Sequence, residues 1–227
     1  HEGADWRATE LRPEGDAMRF RLTRGHRDLG EFVVPLAGAH NVRNALAALA
    51  AAAAVGVDPN TLRSPLAAFR GIRRRLEVRG RVAGITVYDD FAHHPTAVRA
   101  TLEALQAAAA PGPGGRLVAV FEPRSYTSRT SLFQEDYARA LAVADRVLVA
   151  AAHLPERVQE ERRLSERDLV DSVRALGTEA AFVPAVDEIV ARLAGTLGPG
   201  DRVAILSNGG FGGIHERVLE ALENARR

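Results

Sequence analysis

Apolar and polar positions along the 227-residue chain change rhythm near residue 80. Before it, residues 19–22 ("RFRL") and 30–35 ("GEFVVP") alternate or cluster apolar side chains around Gly25 and Gly30, as paired strands joined by a turn at a sheet edge would. The alanine-rich run 41–55 has high helix propensity and stops at Gly56. Asp58-Pro59 can open a further short helix, and "TLRSPLAAF" gives another, closed by Gly71. After Gly80, β-rich apolar runs at 82–88, 117–121, 146–149, 180–183 and 203–206 alternate with helical stretches at 95–110, 132–144, 165–176, 186–197 and 214–225. That alternation specifies parallel βαβ units with right-handed crossovers. The expectation is therefore an α/β protein: a doubly wound, mostly parallel sheet with helices on both faces over residues 79–227, preceded by a separate segment 1–78. The "PGPGG" stretch at 111–115 reads as a helix-to-strand loop inside the second domain, too short for a linker.

Composition narrows the chemistry. Hydrophobic residues make up 46% and charged residues 26%, the balance of a globular protein with a sizeable core. No apolar run reaches 18 residues, so no membrane span and no membrane partner are expected. Nothing at the start resembles a signal peptide. Cysteine is absent, which removes thiolate nucleophiles, disulfides and cysteine-based metal sites and suits a cytoplasmic protein. A net charge of +1 argues against nucleic acid as a partner. All 30 basic residues are arginine, in keeping with a GC-rich genome, so Schiff-base, P-loop and carbamylated lysines are excluded. The chain opens at His1 without an initiator methionine and reads like a piece of a longer protein.

In an open parallel sheet, ligands collect at the C-terminal ends of the strands. Three polar clusters fall there: "DDFAHHP" (89–95), "FEPRSYTSR" (121–129) and "SNGGFGG" (207–213). The first admits three readings. It could hold a metal, although adjacent histidines diverge and rarely chelate one ion. It could be a helix cap and loop with Pro95 in the first turn. Or an aspartate could bind a ribose hydroxyl while a histidine lies along a nucleotide or substrate. Asn41 and Asn44, three apart near a helix start, are caps or readers of an adenine edge. The run Arg73–Arg75 is by default a solvated loop, or else a nucleic-acid or phosphate contact. The glycines of "NGGFGG" do not match a dinucleotide fingerprint, and a backbone packed close to a ligand suits them better.

Taken in order, "GAHNVRNALAALAAA", "FRGIRRRLEVRG", "DDFAHHPTAV" and "FEPRSYTSR" resemble the Mur ligases of bacterial cell-wall synthesis, over nearly the whole chain. Within the family, "DDFAHHPTA", "FEPRS" and "SNGGFGGIH" are most similar to the branch that recycles cell-wall peptide. The branch that adds L-alanine typically reads "DDYGHHPTE" and "FQPHRYTR" instead. Here Arg124, Ser125 and Ser128 stand where that branch has histidine, arginine and arginine, which favours a larger amine, with Arg129 as partial compensation.

The resemblance implies a Rossmann-like C-terminal domain that brings in the amine (79–227), preceded by the end of the central ATPase domain (1–78). It implies ATP and Mg²⁺, most metal ligands lying outside this chain and no metal ligand within it. The implied reaction joins UDP-N-acetylmuramate to L-alanyl-γ-D-glutamyl-meso-diaminopimelate through an acyl phosphate. Carried over by position, Asn41 and Asn44 would contact adenine, Arg75 the phosphates and Asp90 the ribose. Asp89 would be structural. His93 and Arg75 are the catalytic candidates; His93, His94, Arg124, Arg129, Ser207 and Asn208 are the substrate-binding ones. The ATP site would then be split over the domain boundary and the chain alone inactive. The alternatives are ligation of L-alanine, a metal-dependent phosphoesterase using the Asp/His cluster, and a non-catalytic binding module.

Overall fold

The computed structural model describes residues 4–108 and 115–225. The chain up to Ile72 and the chain from Arg73 onward form two compact units, except that Ala107 groups with the first. The sequence-based boundary at 78/79 falls inside a strand of the second unit.

The first unit is an antiparallel meander of β1 (Trp6–Glu14), β2 (Ala17–Arg24) and β3 (Arg27–Val34), followed by α1 (Ala39–Ala54) and the short α2 (Arg63–Ala67). The expected pairing of β2 with β3 is present, and Gly25 turns the chain between them at φ 56°, a conformation only glycine adopts without cost. β1 is an additional edge strand whose outer residues are largely exposed and which carries Pro13, tolerable because an edge needs no second ladder. Met18, Phe20 and Leu22 alternate inward from β2 and meet Phe32 and Val34 of β3 and Val42, Ala45 and Leu49 of α1. The i, i+3, i+7 spacing of those α1 residues puts them on one stripe of the helix.

The second unit holds six strands in the order β4-β5-β9-β6-β7-β8. These are β4 (Glu77–Val82), β5 (Ile85–Asp90), β6 (Leu117–Phe121), β7 (Arg146–Val149), β8 (Glu179–Phe182) and β9 (Arg202–Leu206). All pairings are parallel except β4 with β5. The helices are α3 (Pro95–Ala107), α4 (Gln134–Leu141), α5 (Glu166–Ala175), α6 (Val186–Thr196) and α7 (Ile214–Asn224). The expected run 82–88 thus covers the last residue of β4, the turn and most of β5, which pair as a hairpin. β4 escapes the hydrophobic pattern because its "EVRGRV" sequence occupies the sheet edge and is largely solvated. The loop expected at 111–115 lies, Gly115 apart, outside the described residues.

β5 and β6 are buried along their whole length, as strands covered on both faces must be. Val118, Val120, Val203 and Ile205 face Ile189, Leu193, Ile214 and Val218 of α6 and α7. Phe121, of opposite parity, meets the Tyr137 ring of α4 on the other face at 5.1 Å. β9 enters between β5 and β6, with Leu206 in register with both Asp90 and Phe121. That insertion sets the three polar clusters side by side at the same end of the sheet, where chain direction across the sheet reverses.

Candidate functional site

At the end of β5 the two aspartates turn to different partners. Asp89 lies 3.4 Å from Arg74 Nε and 3.3 Å from His215 Nε2 of α7, with little solvent exposure. His215 Nε2 is close enough for charge interaction but not aligned for a hydrogen bond with any described group. Burial opposes ionisation of Asp89, yet His215 and then Arg74 outweigh it and hold the carboxyl below its ordinary range.

Asp90 is equally buried, and its oxygens accept hydrogen bonds from Leu76 N at 2.7 Å, Ala92 N at 2.8 Å and Thr101 Oγ1 at 3.2 Å. Burial raises its pKa in spite of these donors and the nearby Arg75 charge. The ribose contact expected of Asp90 therefore meets a carboxylate directed inward, with both oxygens engaged.

Those bonds shape the turn before β4. Arg74 and Leu76 both take left-handed backbone conformations, at φ 60° and 49°, which side-chain-bearing residues hold only when their surroundings enforce it. Leu76 N is tied to Asp90, Arg74 O accepts Phe91 N at 2.8 Å, and Arg74 N donates to Glu77 at 2.8 Å. The consequence is a fixed, exposed Arg75 whose guanidinium lies 5.4 Å from the Phe91 ring centre, with Arg74 5.1 Å from the same ring. Arg73, Arg74, Glu77, Val78 and Arg79 line an open depression of about 550 Å³ beside this turn.

His93 and His94 diverge, as adjacent residues in a loop should. His93 Nδ1 is 2.9 Å from Phe91 O, a carbonyl that can only accept, so this bond places the proton on Nδ1 and leaves Nε2 as an acceptor. Its backbone oxygen accepts from the Tyr137 hydroxyl, whose pKa burial pushes far above the ordinary tyrosine range. His94 is exposed, accepts weakly from Thr96 N at 3.4 Å and stacks edge-on against Phe133 at 5.1 Å, heading α3 ahead of Pro95. It also borders a cavity of about 320 Å³ with Arg99, Asp136 and Arg139. Among the described residues no three histidines, aspartates or glutamates are grouped to hold a metal ion. The Asp/His cluster thus lacks the convergence a metal-dependent phosphoesterase needs.

The second and third clusters interlock. Glu122 and Ser207 are buried, and the Ser207 hydroxyl donates to Glu122 while accepting Gly209 N at 3.0 Å. Arg74 donates to Ser207 O at 2.5 Å and Gly209 O at 2.8 Å, fixing the loop after β9. Arg124 is half-buried, with Nη1 3.6 Å from Glu122 Oε1. Ser125 and Ser128 bond to each other, and Ser128 Oγ accepts Arg124 N at 2.9 Å, so both serines build the loop under Arg124.

Arg129 departs from expectation. It is buried and donates to the carbonyls of Ser125, His153 and Leu154 at 2.8–3.3 Å, bracing the loop rather than offering its charge outward. Asn208 carries a buried Oδ1 that no described group satisfies. Sequence reading missed Glu122 and His215, and it took Arg74 as part of a solvated or phosphate-contacting run rather than as the brace of the loop after β9. "FEPR" held the signal for Glu122, a carboxylate directly after a fully apolar strand, whereas nothing local marked His215 as a partner of Asp89.

In the first unit, Asn41 is buried and donates to Ala37 O at 2.8 Å, while the exposed Asn44 donates to Asn41 Oδ1 at 3.3 Å. Asn41 is thereby committed to the start of α1. Asn44 keeps its own oxygen available.

Residues 74–209, the stretch carrying the first two strand-end clusters and the start of the third, match the family described as Mur ligase, glutamate ligase domain. The chain belongs to the Mur ligase family. This Mur ligase chain is 40% identical to the UDP-N-acetylmuramate–L-alanyl-γ-D-glutamyl-meso-2,6-diaminoheptandioate ligase of Escherichia coli K12, over 97% of the chain and 45% of that protein. It is 34% identical to a UDP-N-acetylmuramate–L-alanine ligase from Caldanaerobacter subterraneus subsp. tengcongensis, over 97% of the chain and 47% of the relative. Among solved structures, a murein peptide ligase from Psychrobacter arcticus 273-4 superposes with a TM-score of 0.66 at 34% identity, covering 98% of this chain and 45% of that one. The chain thus spans about half the length of the relatives it matches. No helix among the described residues is long and apolar enough to cross a membrane.

Proposed function

We propose that the chain is the amine-delivering part of an ATP-dependent ligase that joins UDP-N-acetylmuramate to L-alanyl-γ-D-glutamyl-meso-diaminopimelate in cell-wall recycling. The observation that carries this reading is the half-buried Arg124 guanidinium at the end of β6, between the ends of its neighbours and ion-paired only with Glu122 among the described residues. A planar guanidinium with five donors suits a carboxylate, and the tripeptide offers several where L-alanine offers one. Ser125 and Ser128 support the same reading, because their short side chains close on each other and add no second cation.

ATP supplies the phosphoryl group that activates the muramoyl carboxylate. Arg75, exposed and braced against Phe91, is suited to phosphate charge. Asp90 acts by holding the turn that presents Arg75, and Asn44 is the adenine candidate. His93 Nε2, an acceptor in the tautomer its Nδ1 bond imposes, would take a proton from the attacking amine. Ser207 and Asn208 line the same strand end. In this reading most Mg²⁺ ligands belong to the longer protein. We further propose that the chain alone does not ligate and that the longer protein is bacterial and cytoplasmic.

Isothermal calorimetry of the chain with synthetic tripeptide tests the reading. Tripeptide binding that weakens about 10-fold or more in Arg124→Ala, with L-alanine binding far more weakly to the wild type, is expected from loss of a charge-assisted contact. Preference for L-alanine would favour ligation of that amino acid instead.

A further inference from the structure

We infer that Gly209 is a specificity-determining residue: its missing side chain provides the seat in which Arg124 lies, and Glu122 with Ser207 fixes the guanidinium there to meet a carboxylate of the amine substrate. The inference deepens the reading of Arg124 given above and rests on it. A Cβ built on Gly209 would stand 1.9 Å from Arg124 Nε and 2.2 Å from both its Cδ and Cζ, distances no side chain tolerates. The backbone does not explain the glycine, because Gly209 is not among the residues with positive φ. Space for the arginine does.

The loop cannot retreat to make room. Gly209 O and Ser207 O both accept from Arg74, Gly209 N donates to Ser207 Oγ, and Arg74 is itself held by the buried Asp89. A side chain at position 209 therefore displaces the flexible arginine and leaves the pinned loop in place. Glu122 sets the direction in which Arg124 lies. At 3.6 Å it attracts the guanidinium without a close bidentate bond, so the donors remain available to a second carboxylate. Ser207 donates to Glu122 and keeps that carboxylate from swinging away.

The test uses the 227-residue chain with Gly209→Ala, Arg124→Ala and their double variant. Two readouts are the Arg124 side-chain Nε–H resonance and calorimetry with the synthetic tripeptide and with its fully amidated, carboxylate-free analogue. The expected result for Gly209→Ala is an unchanged circular dichroism spectrum and melting temperature, a displaced Arg124 resonance, and tripeptide affinity reduced about 10-fold or more. Gly209→Ala should add nothing in the Arg124→Ala background, and neither substitution should alter binding of the amidated analogue. Glu122→Gln should move the Arg124 resonance in the same sense and weaken tripeptide binding less. A wild-type Arg124 resonance in Gly209→Ala, or additive losses in the double variant, would overturn the inference. If Arg124→Ala itself leaves tripeptide affinity unchanged, the reading beneath it fails. If Arg124→Ala weakens binding and Gly209→Ala does not, this inference alone fails.

Discussion

Asp90→Asn is the sharpest probe of the turn that presents Arg75. The carboxylate serves Leu76 N through one oxygen and Ala92 N with Thr101 through the other, all in a buried setting. An amide offers one oxygen and one donor group, so in either orientation a backbone N–H faces another donor. Keeping Ala92 orphans Leu76; the flipped amide orphans Ala92. One unsatisfied buried amide costs about 1–3 kcal/mol, and the second donor of the clash adds a similar amount. Removing a buried charge that burial already disfavours offsets part of this. The net expectation is about 2 kcal/mol, or on the order of 4–8 °C in melting temperature for a chain of this size. Because two compact units can unfold separately, amide hydrogen exchange is the better assay. Leu76 or Ala92 should lose protection by roughly 30-fold, the factor corresponding to 2 kcal/mol, while amides of β2 and β3 keep theirs. Unchanged protection at both Leu76 and Ala92 would refute the argument that Asp90 latches the turn.

The two aspartates should titrate with opposite signs. Asp89 ionises more readily in the folded chain, so its stabilisation is present above the ordinary aspartate pKa and is lost as pH falls through the lowered folded value; Asp89→Asn should remove that acid-side slope in urea melts. Asp90 has a raised folded pKa, so stability should decline as pH rises from the ordinary value through the raised one, a slope that Asp90→Asn flattens. Phe20→Ala, which empties a fully buried site in the first unit, should cost about 3–5 kcal/mol and lower the exchange protection of β2 and β3. Arg129→Ala should destabilise the 125–129 loop by about 1.5–3 kcal/mol through loss of its bonds to backbone carbonyls. Its tripeptide affinity by calorimetry should fall less than that of Arg124→Ala.

Much of the fold was legible because apolar runs in a parallel sheet are continuous and their helices periodic, so β6, β7 and β9 emerged nearly at their observed bounds. The strands that escaped, β1 and β4, are edge strands whose sequences are mostly solvated and carry little hydrophobic signal. The site divided along a similar line. Placing three clusters at strand ends needed only the alternation of elements. Saying which atoms do what needed tertiary geometry. Asp89 and Asp90 are adjacent in sequence, yet one meets His215 from the last helix while the other seizes the amide of Leu76. Arg124 and Arg129 sit in one loop, and only their surroundings separate an arginine available to a ligand from one spent on carbonyls. The importance of Gly209 is likewise invisible until the arginine lying against it is located.

The central claim, that this chain delivers the tripeptide to a muramoyl acceptor, is tested most directly in the longer protein of which it is proposed to be part. That protein would be incubated with UDP-N-acetylmuramate, ATP, Mg²⁺ and equimolar tripeptide and L-alanine, and the products read by mass spectrometry. The account predicts the tripeptide adduct as the dominant product, formed only with ATP. A dominant L-alanine adduct, or no ATP-dependent adduct of either amine, would contradict it.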